Sequence, residues 1–360
     1  MSANVLYLIN HAGSGGTESY LLGLAKNYKA GAVHFIFNEP GRLCERISEL
    51  GIKPVKIALR HPLDIPAALK IARYCSENDI GAIHAQFTRE AYIALLAKIF
   101  SRRKIKIIYT CHIDADNNTA WKIFNSLLGN RIDSYVAVCN SVRRTMIKNG
   151  FPAKKIRVIF NGADAPPAYA AGNIREELGL SPDTFLFATL TRFTPEKGSA
   201  FLLEAVRALK KLTGAPFKVL IAGEGPLRDE LIKTASELGV SGEAVFLGYR
   251  NDAGNILESA DAYLNTSESE CLSVAILEAM SRGLPVIATD AGGNIDLVNE
   301  KTGCGFTVKY GGAEEFASKM LLFINDKTLV ETFGENAKRA VESDFNAKTQ
   351  RALTYALYEG

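Results

Sequence analysis

Two carboxylates eight residues apart stand out in "SESECLSVAILEAMSRGLPVIATDAGG" (267–293). Glu278 interrupts "VAILEAM", an otherwise apolar helical segment that Ser273 can cap and Gly283 can end. A carboxylate on such a face is costly unless donors meet it. Glu270 falls in the loop entering that helix, whose first N–H groups attract a phosphate. One carboxylate then suits a ribose diol, with its two O–H donors, and the other a sugar hydroxyl. A plainer arrangement uses the same residues, with Glu278 paired to a core arginine and Glu270 solvated. Sequence physics leaves both open. Upstream, Arg192 and Lys197 in "TRFTPEKG" (191–198) follow an apolar run and can neutralise a diphosphate. The arginine would act bidentately and the lysine as a point charge. "IAGEGP" (221–226) is a strand–glycine–helix turn in which Gly223 and Gly225 permit close backbone approach.

A second glycine cluster, "NHAGSGGTESY" (10–20), follows the strand-like "NVLYLI" (4–9), and Thr17 can cap a helix beginning at Glu18. The layout suits a phosphate cradle. It fails the dinucleotide fingerprint, however, because Glu18 stands where the last glycine belongs, and no Gly-Lys-Ser/Thr follows.

The elements that must position these residues alternate along the chain. Apolar runs at 4–9, 33–37, 54–58, 81–85, 105–111, 134–139 and 156–160 read as strands, with helical periods at 19–29, 41–50 and 64–77. The pattern breaks at "ADAPPAYAAGN" (163–173), an Ala/Pro-rich linker, and then restarts. Strands follow at 184–190, 217–222, 244–247, 261–264 and 284–288, with helices at 199–212, 226–238, 273–282 and 313–325. Such alternation predicts α/β architecture: two Rossmann-like lobes, 1–165 and 166–343, whose parallel sheets face each other across a cleft. The tail, 344–360, is expected to cross back onto the first lobe.

Composition narrows the class. The chain has 360 residues, 47% hydrophobic and 22% charged, as in an ordinary soluble protein with ample core. The longest apolar stretch, "YIALLAKIF" (92–100), is broken by Lys98 and is too short for a membrane span. No basic segment precedes the first apolar run, and the six cysteines show no C-x-x-C pair, so a cytoplasmic protein with reduced thiols is expected. The net charge of +3 conceals an asymmetry. Residues 1–165 hold 23 Lys/Arg against 12 Asp/Glu, and the remainder holds 19 against 27. The basic half suits anionic lipid, an anionic acceptor or nucleic acid, or else is a set of solvated helix faces.

The order "GGTE" (15–18), "FNGAD" (160–164), "RFTPEKG" (192–198), "AGEGP" (222–226), "FLGYR" (246–250), Glu270-x7-Glu278 and "EAMSRGLPVIATDAGG" (278–293) resembles the retaining glycosyltransferases of family 4. The resemblance implies the GT-B fold and transfer of a sugar from a nucleotide diphosphate sugar to an acceptor hydroxyl, without metal or other cofactor. By it, Arg192 and Lys197 grip the donor diphosphate, and Glu270 holds sugar hydroxyls with help from the amides of Cys271, Leu272 and Ser273. Glu278 takes the ribose, and the base lies near Tyr249 and Arg250, with Gly223 and Glu224 close by. His112, in "TCHID", resembles the N-lobe histidine that reaches the sugar. Gly15 and Gly16 would bring backbone amides to the diphosphate. Three departures stand out. Cys271-Leu272-Ser273 replaces the usual Gly-Phe-Gly, and Asp296 replaces a glutamate after Gly292-Gly293. "DAD" (114–116) matches the metal motif of the other glycosyltransferase fold and is read as coincidence.

The implied partners are a nucleotide-sugar donor (UDP, GDP or ADP) and a glycan, glycolipid or small-molecule acceptor, with no nucleic acid. The basic lobe adds an expected peripheral contact with anionic membrane, to which "AWKIFNSLLGN" (120–130) can lend Trp121, Phe124, Leu127 and Leu128, unless that face packs inward. The altered 271–273 loop keeps alive an alternative: a nucleotide-sugar binding protein without turnover. An NAD(P)-dependent dehydrogenase is disfavoured by the failed fingerprint at Glu18.

Overall fold

A computed structural model describes residues 4–13, 15–166 and 174–359. Most of the expected linker, 167–173, lies outside the described residues. The chain divides into two compact units, one made of residues 1–161 and 347–360 and the other of residues 162–346.

The first unit carries a seven-stranded sheet: β1 (Asn4–His11), β2 (Val33–Glu39), β3 (Pro54–Lys56), β4 (Ile80–Ala85), β5 (Lys106–Cys111), β6 (Ser134–Ala137) and β7 (Ile156–Val158). Its order is β3-β2-β1-β4-β5-β6-β7, and every pairing is parallel. Val5 to Ile9 are all fully buried. Burial of consecutive residues, rather than of every second one, marks a parallel strand covered on both faces. The second unit repeats the plan with β8 (Phe185–Leu190), β9 (Phe217–Ala222), β10 (Ala244–Gly248), β11 (Ala262–Asn265), β12 (Val286–Thr289) and β13 (Gly305–Val308). Its order is β10-β9-β8-β11-β12-β13, again all parallel. Both sheets reverse their winding once, between β1 and β4 and between β8 and β11. The crevice beyond the carboxyl ends of such a pair is where open α/β sheets bind ligands.

Helix Ser199–Leu212 illustrates how the layers close. Its residues Phe201, Leu202, Ala205, Val206 and Leu209 are buried at helical spacing and join the core with Phe187 and Val219 of the sheet. The chain enters and leaves this unit at adjacent points, where the Ala163 N–H donates to the Phe345 carbonyl at 3.0 Å. Helix Ala347–Glu359 then completes the first unit. Tyr358 is buried in that core, and its hydroxyl meets His84 Nδ1 at 2.7 Å. His84 Nε2 meets Thr110 Oγ1 at 2.6 Å.

Two local expectations are corrected. The first helix runs from Gly16 to Asn27 with Gly15 as its N-cap, so Thr17 lies inside it and caps nothing. Glu18 sits in the first turn, its carboxylate beside Gly13 and Gly15, where an acid favours the helix start. β13 escapes the sequence reading because it is four residues long and opens on a glycine. A Cβ at Gly305 would stand 1.8 Å from the Val286 carbonyl oxygen, so the residue that hides the strand is the one that lets it pair with β12.

Tyr358→Phe leaves a buried imidazole nitrogen without its hydroxyl and is expected to destabilise the first unit by about 1–3 kcal/mol. Urea unfolding checks this; an unchanged midpoint would show that the Tyr358–His84 contact holds nothing.

Candidate functional site

In the second unit, the strands flanking the winding reversal deliver the predicted charges. The loop after β8 carries Arg192 and, in the short helical turn Pro195–Lys197, Lys197. The loop after β11 carries Glu270. Lys197 Nζ lies 2.6 Å from Glu270 Oε2, and the two side chains are only 16% and 14% exposed. Ser267 Oγ donates to the same oxygen at 3.2 Å. A pair so nearly buried must be held by its backbone, because each charge has lost water. Two glycines provide the hold. Gly198 (φ +63) presses on the Thr266 carbonyl, where a Cβ would stand 2.0 Å from the oxygen. Gly292 (φ +51) presses on Glu270 itself, with only 1.6 Å between a Cβ and the Glu270 carbonyl oxygen. The Glu268 N–H donates to the Glu196 carbonyl at 2.9 Å, joining the two loops. Arg192 stands outside the pair. Its guanidinium is 70% exposed, 3.7 Å from Glu196.

Helix Val274–Ser281 begins as expected, with the Ser273 hydroxyl accepting from the Ile276 N–H at 3.3 Å. Leu272 is buried and Cys271 half-buried. Of the two residues that replace glycines, Ser273 is absorbed as the helix cap and Cys271 stays half-buried. Glu278 is half-buried, and no donor to its carboxylate is found among the described residues. Arg282, one turn on, bonds the Glu278 main-chain carbonyl instead. Burial raises the Glu278 carboxyl above its ordinary range, partly offset by the Arg282 charge. The Arg282 guanidinium thus acts on this carboxylate through its charge, while its described hydrogen bond goes to the main-chain carbonyl. Beneath this helix start, Asn294 Nδ2 donates to Asn265 Oδ1 at 2.9 Å, both residues buried.

The Gly223 N–H donates to the Gly248 carbonyl at 2.8 Å, and the Glu224 carbonyl accepts from the Phe193 N–H at 2.9 Å. The 221–226 turn is thereby joined to the Arg192 loop. Tyr249 is exposed. Arg250 is committed elsewhere: its guanidinium bonds Asp252 at 2.7 and 2.8 Å and Glu177 at 2.6 and 3.0 Å. Those bonds, to Asp252 first and Glu177 second, raise its pKa.

In the first unit, Gly15 and Gly16 form the start of helix Gly16–Asn27. From that helix Tyr20 packs edge-on to His112, with ring centroids 5.1 Å apart. His112 follows β5, and its Nε2 lies 3.0 Å from Gln86 Oε1. Burial pulls its pKa down to about 3, so the imidazole is neutral. The "DAD" carboxylates serve as staples. Asp114 accepts from Ser141 and from Thr145, and Asp116 pairs with Lys148. Among the described residues, no group of three or more His, Cys, Asp or Glu is placed to hold a metal ion. On helix Thr119–Leu128, Trp121 and Phe124 pack inward on Tyr92, whereas Ile123 and Leu127 (73% exposed) face outward.

Sequence reasoning missed Glu90. It lies in the first turn of helix Thr88–Ser101, fully buried, and its two oxygens find no close hydrogen-bond partner among the described residues. Burial pushes its carboxyl up to about 7. The adjacent Arg89 donates to Asn10 Oδ1 at 2.9 Å and to the Leu59 carbonyl at 3.1 Å. The available signal was its helical spacing to Ala94 and Ala97 on the buried face.

Comparison with known proteins adds a family to this geometry. The family model described as glycosyl transferases group 1 matches residues 171–340, and that described as glycosyltransferase family 4 matches residues 14–165. Among curated relatives, the UDP-Gal:alpha-D-GlcNAc-diphosphoundecaprenol alpha-1,3-galactosyltransferase of Escherichia coli is 31% identical over 53% of this chain. The match spans 51% of that relative's own length. N-acetyl-alpha-D-glucosaminyl L-malate synthase of Bacillus anthracis is 26% identical over 80% of this chain and 76% of its own. Among solved structures, Anabaena HepE in complex with UDP superposes with a TM-score of 0.87 at 22% identity, covering 98% of each chain. A glycosyltransferase from Rickettsia africae gives 0.88 at 20% identity, covering 100% of this chain and 98% of its own.

The buried acid makes a pH prediction. Glu90 binds its proton more tightly folded (about 7) than its ordinary value of 4.5, so its contribution to stability is full below about pH 4.5 and is lost as pH rises through 7. Glu90→Gln is therefore expected to match the native chain near pH 4.5 and exceed it by about 3 kcal/mol at pH 8. Denaturant titrations at the two pH values check this, and equal gains at both would refute it.

Proposed function

The chain belongs to the group 1, family 4 glycosyltransferases and has the GT-B fold, and on that premise we propose that it is a retaining, metal-independent enzyme acting on a nucleotide diphosphate sugar. The observation that carries this reading is the Lys197–Glu270 pair beyond β8 and β11, followed on the next helix by the unpartnered Glu278 carboxylate. Lys197 and Arg192 take the diphosphate and stabilise its charge as the sugar–phosphate bond breaks, more strongly than in the ground state. Glu278 accepts from the ribose diol. Glu270, relieved of Lys197 by the phosphates, accepts from sugar hydroxyls, and the amides of 271–273 face the same group. In the first unit, neutral His112 is read as a partner for a sugar hydroxyl, and the amides of Gly15 and Gly16 as donors to an anion. The acceptor oxygen bonds the anomeric carbon on the face the diphosphate leaves, and its proton passes to the departing phosphate oxygen. No general base is then required, and the two cations supply the charge a metal would bring.

The donor is read as a UDP sugar. The Escherichia coli relative is named for UDP-Gal, and the Anabaena structure is described with UDP. A glycolipid or glycan acceptor is supported in the same way, the former relative being named for a diphosphoundecaprenol-linked sugar. Among the described residues no helix is long and apolar enough to cross a membrane. Contact with an anionic bilayer is assigned instead to the basic first unit, with Ile123 and Leu127 exposed on one helix face.

Lys197→Ala and Glu278→Ala are each expected to lower sugar transfer by about a hundredfold or more while thermal unfolding shows a folded chain. Retained activity in both variants would sink the assignment. Across UDP-, GDP- and ADP-sugars, the UDP compounds should give the largest thermal shift and slow release of free sugar, unaffected by EDTA. Binding without any hydrolysis or transfer would instead identify a nucleotide-sugar binding protein. Flotation with vesicles of anionic lipid at low salt should carry the native chain and lose Leu127→Ser. Equal recovery with neutral vesicles would refute the membrane contact.

A further inference from the structure

Two buried amides under the start of helix Val274–Ser281 fix what the Ser273 hydroxyl can do. Asn294 Nδ2 faces two oxygens, Asn265 Oδ1 at 2.9 Å and the Thr289 carbonyl at 3.3 Å. A carbonyl only accepts, so turning this amide over would set oxygen against oxygen. Asn265 is held just as firmly. Its Oδ1 accepts from Asn294 and from the Ser267 main-chain N–H at 3.3 Å, so its Nδ2 is the end that meets Ser273 Oγ, at 3.4 Å. Ser273 Oγ also accepts from the Ile276 N–H at 3.3 Å. Two donors therefore point at this oxygen, and its own hydrogen can be directed at neither. Asn294 Oδ1, the acceptor left over in the cluster, meets no donor and does not take it. Ser273 is only 5% exposed, so the hydrogen is largely kept from water as well.

We infer that the Ser273 hydroxyl donates to a phosphate oxygen of the nucleotide diphosphate, a side-chain donor at a position where the family pattern has glycine. This rests on the reading of the second unit as the donor site and adds one contact to it. The helix start supplies the other donors. Val274 and Ala275 are its first two residues, both half-buried, and their N–H groups lie ahead of the intrahelical ladder. Phosphate oxygens only accept, and the helix dipole favours an anion at that end. A sugar hydroxyl would bring a hydrogen of its own to a place where every neighbour already donates.

Titration calorimetry of the full chain with UDP and with UDP-glucose tests the contact. Ser273→Gly removes the hydroxyl but leaves a residue almost as good at a helix start. It should weaken both ligands by about tenfold or more, while the melting temperature of the unliganded chain changes little. Ser273→Ala removes hydroxyl and cap together and should lose the same affinity with a larger loss of stability. Ser273→Thr keeps the hydroxyl and should bind as the native chain does. Unchanged UDP affinity in Ser273→Gly would overturn the inference. A loss confined to UDP-glucose would overturn it too, by assigning the hydroxyl to the sugar. If the native chain binds neither nucleotide, the reading of the donor site fails by itself, and inorganic pyrophosphate becomes the probe. Weaker pyrophosphate binding in Ser273→Gly then upholds the hydroxyl–phosphate contact, and equal affinity or no binding at all overturns it.

Discussion

The second unit depends on backbone being able to touch backbone at Gly198 and Gly292. Lys197 and Glu270 have surrendered most of their water, and a pair in that condition repays its desolvation only if its geometry is held. Side chains cannot supply the hold, since both are long and flexible. The carbonyls of Thr266 and Glu270 supply it, with nothing larger than hydrogen between them and the glycine α-carbons. From this contact follow the position of the 266–273 loop, the entry into helix Val274–Ser281, and hence the direction in which Glu278 emerges. The pair also leaves the junction of these two loops locally neutral.

The first unit handles polarity differently. Its carboxyl-end residues are kept neutral by burial: His84 and His112 are both pulled down to about 3, and Glu90 is pushed up to about 7. Specificity there must come from which groups donate and which accept, because little charge is available. The basic residues of this unit are spread over helices, loops and strands. On the reading proposed above, one unit would bind by field and the other by hydrogen-bond direction. That division suits a charged donor and an acceptor whose reacting group is a hydroxyl.

Much of the architecture was legible because parallel strands covered on both faces read as unbroken apolar runs, as "NVLYLI" does, and because the alternation with helices is regular. Other elements were not, among them the 17-residue helix Lys327–Ser343 and the shortest ones. β13 has four residues, and helix Asn294–Leu297 has four, so neither develops a period. In the site, Ser273 as a cap and Gly283 as a stop followed from local chemistry. The pairing of Lys197 with Glu270, 73 residues apart, is a product of strand order, which no local pattern encodes. Arg250 shows the opposite failure. Its position in a family motif suggested a ligand, and only the fold reveals Glu177 and Asp252 around its guanidinium. Asn265 was unreadable for a simpler reason: a neutral amide acquires meaning only from what stands at each of its two ends.

The adjacent entry and exit of the chain at Ala163 and Phe345 have a consequence for the order of biosynthesis. The second unit is one continuous segment and can close as soon as it leaves the ribosome. The first unit, although begun earlier, lacks a core helix until residues 347–359 emerge. Tyr358 reaches His84 across 274 positions of sequence, so the hydroxyl that satisfies this buried imidazole emerges only after the whole second unit has been made. The nascent N-terminal unit therefore waits, incomplete and with apolar surface uncovered, through the synthesis of an entire neighbour.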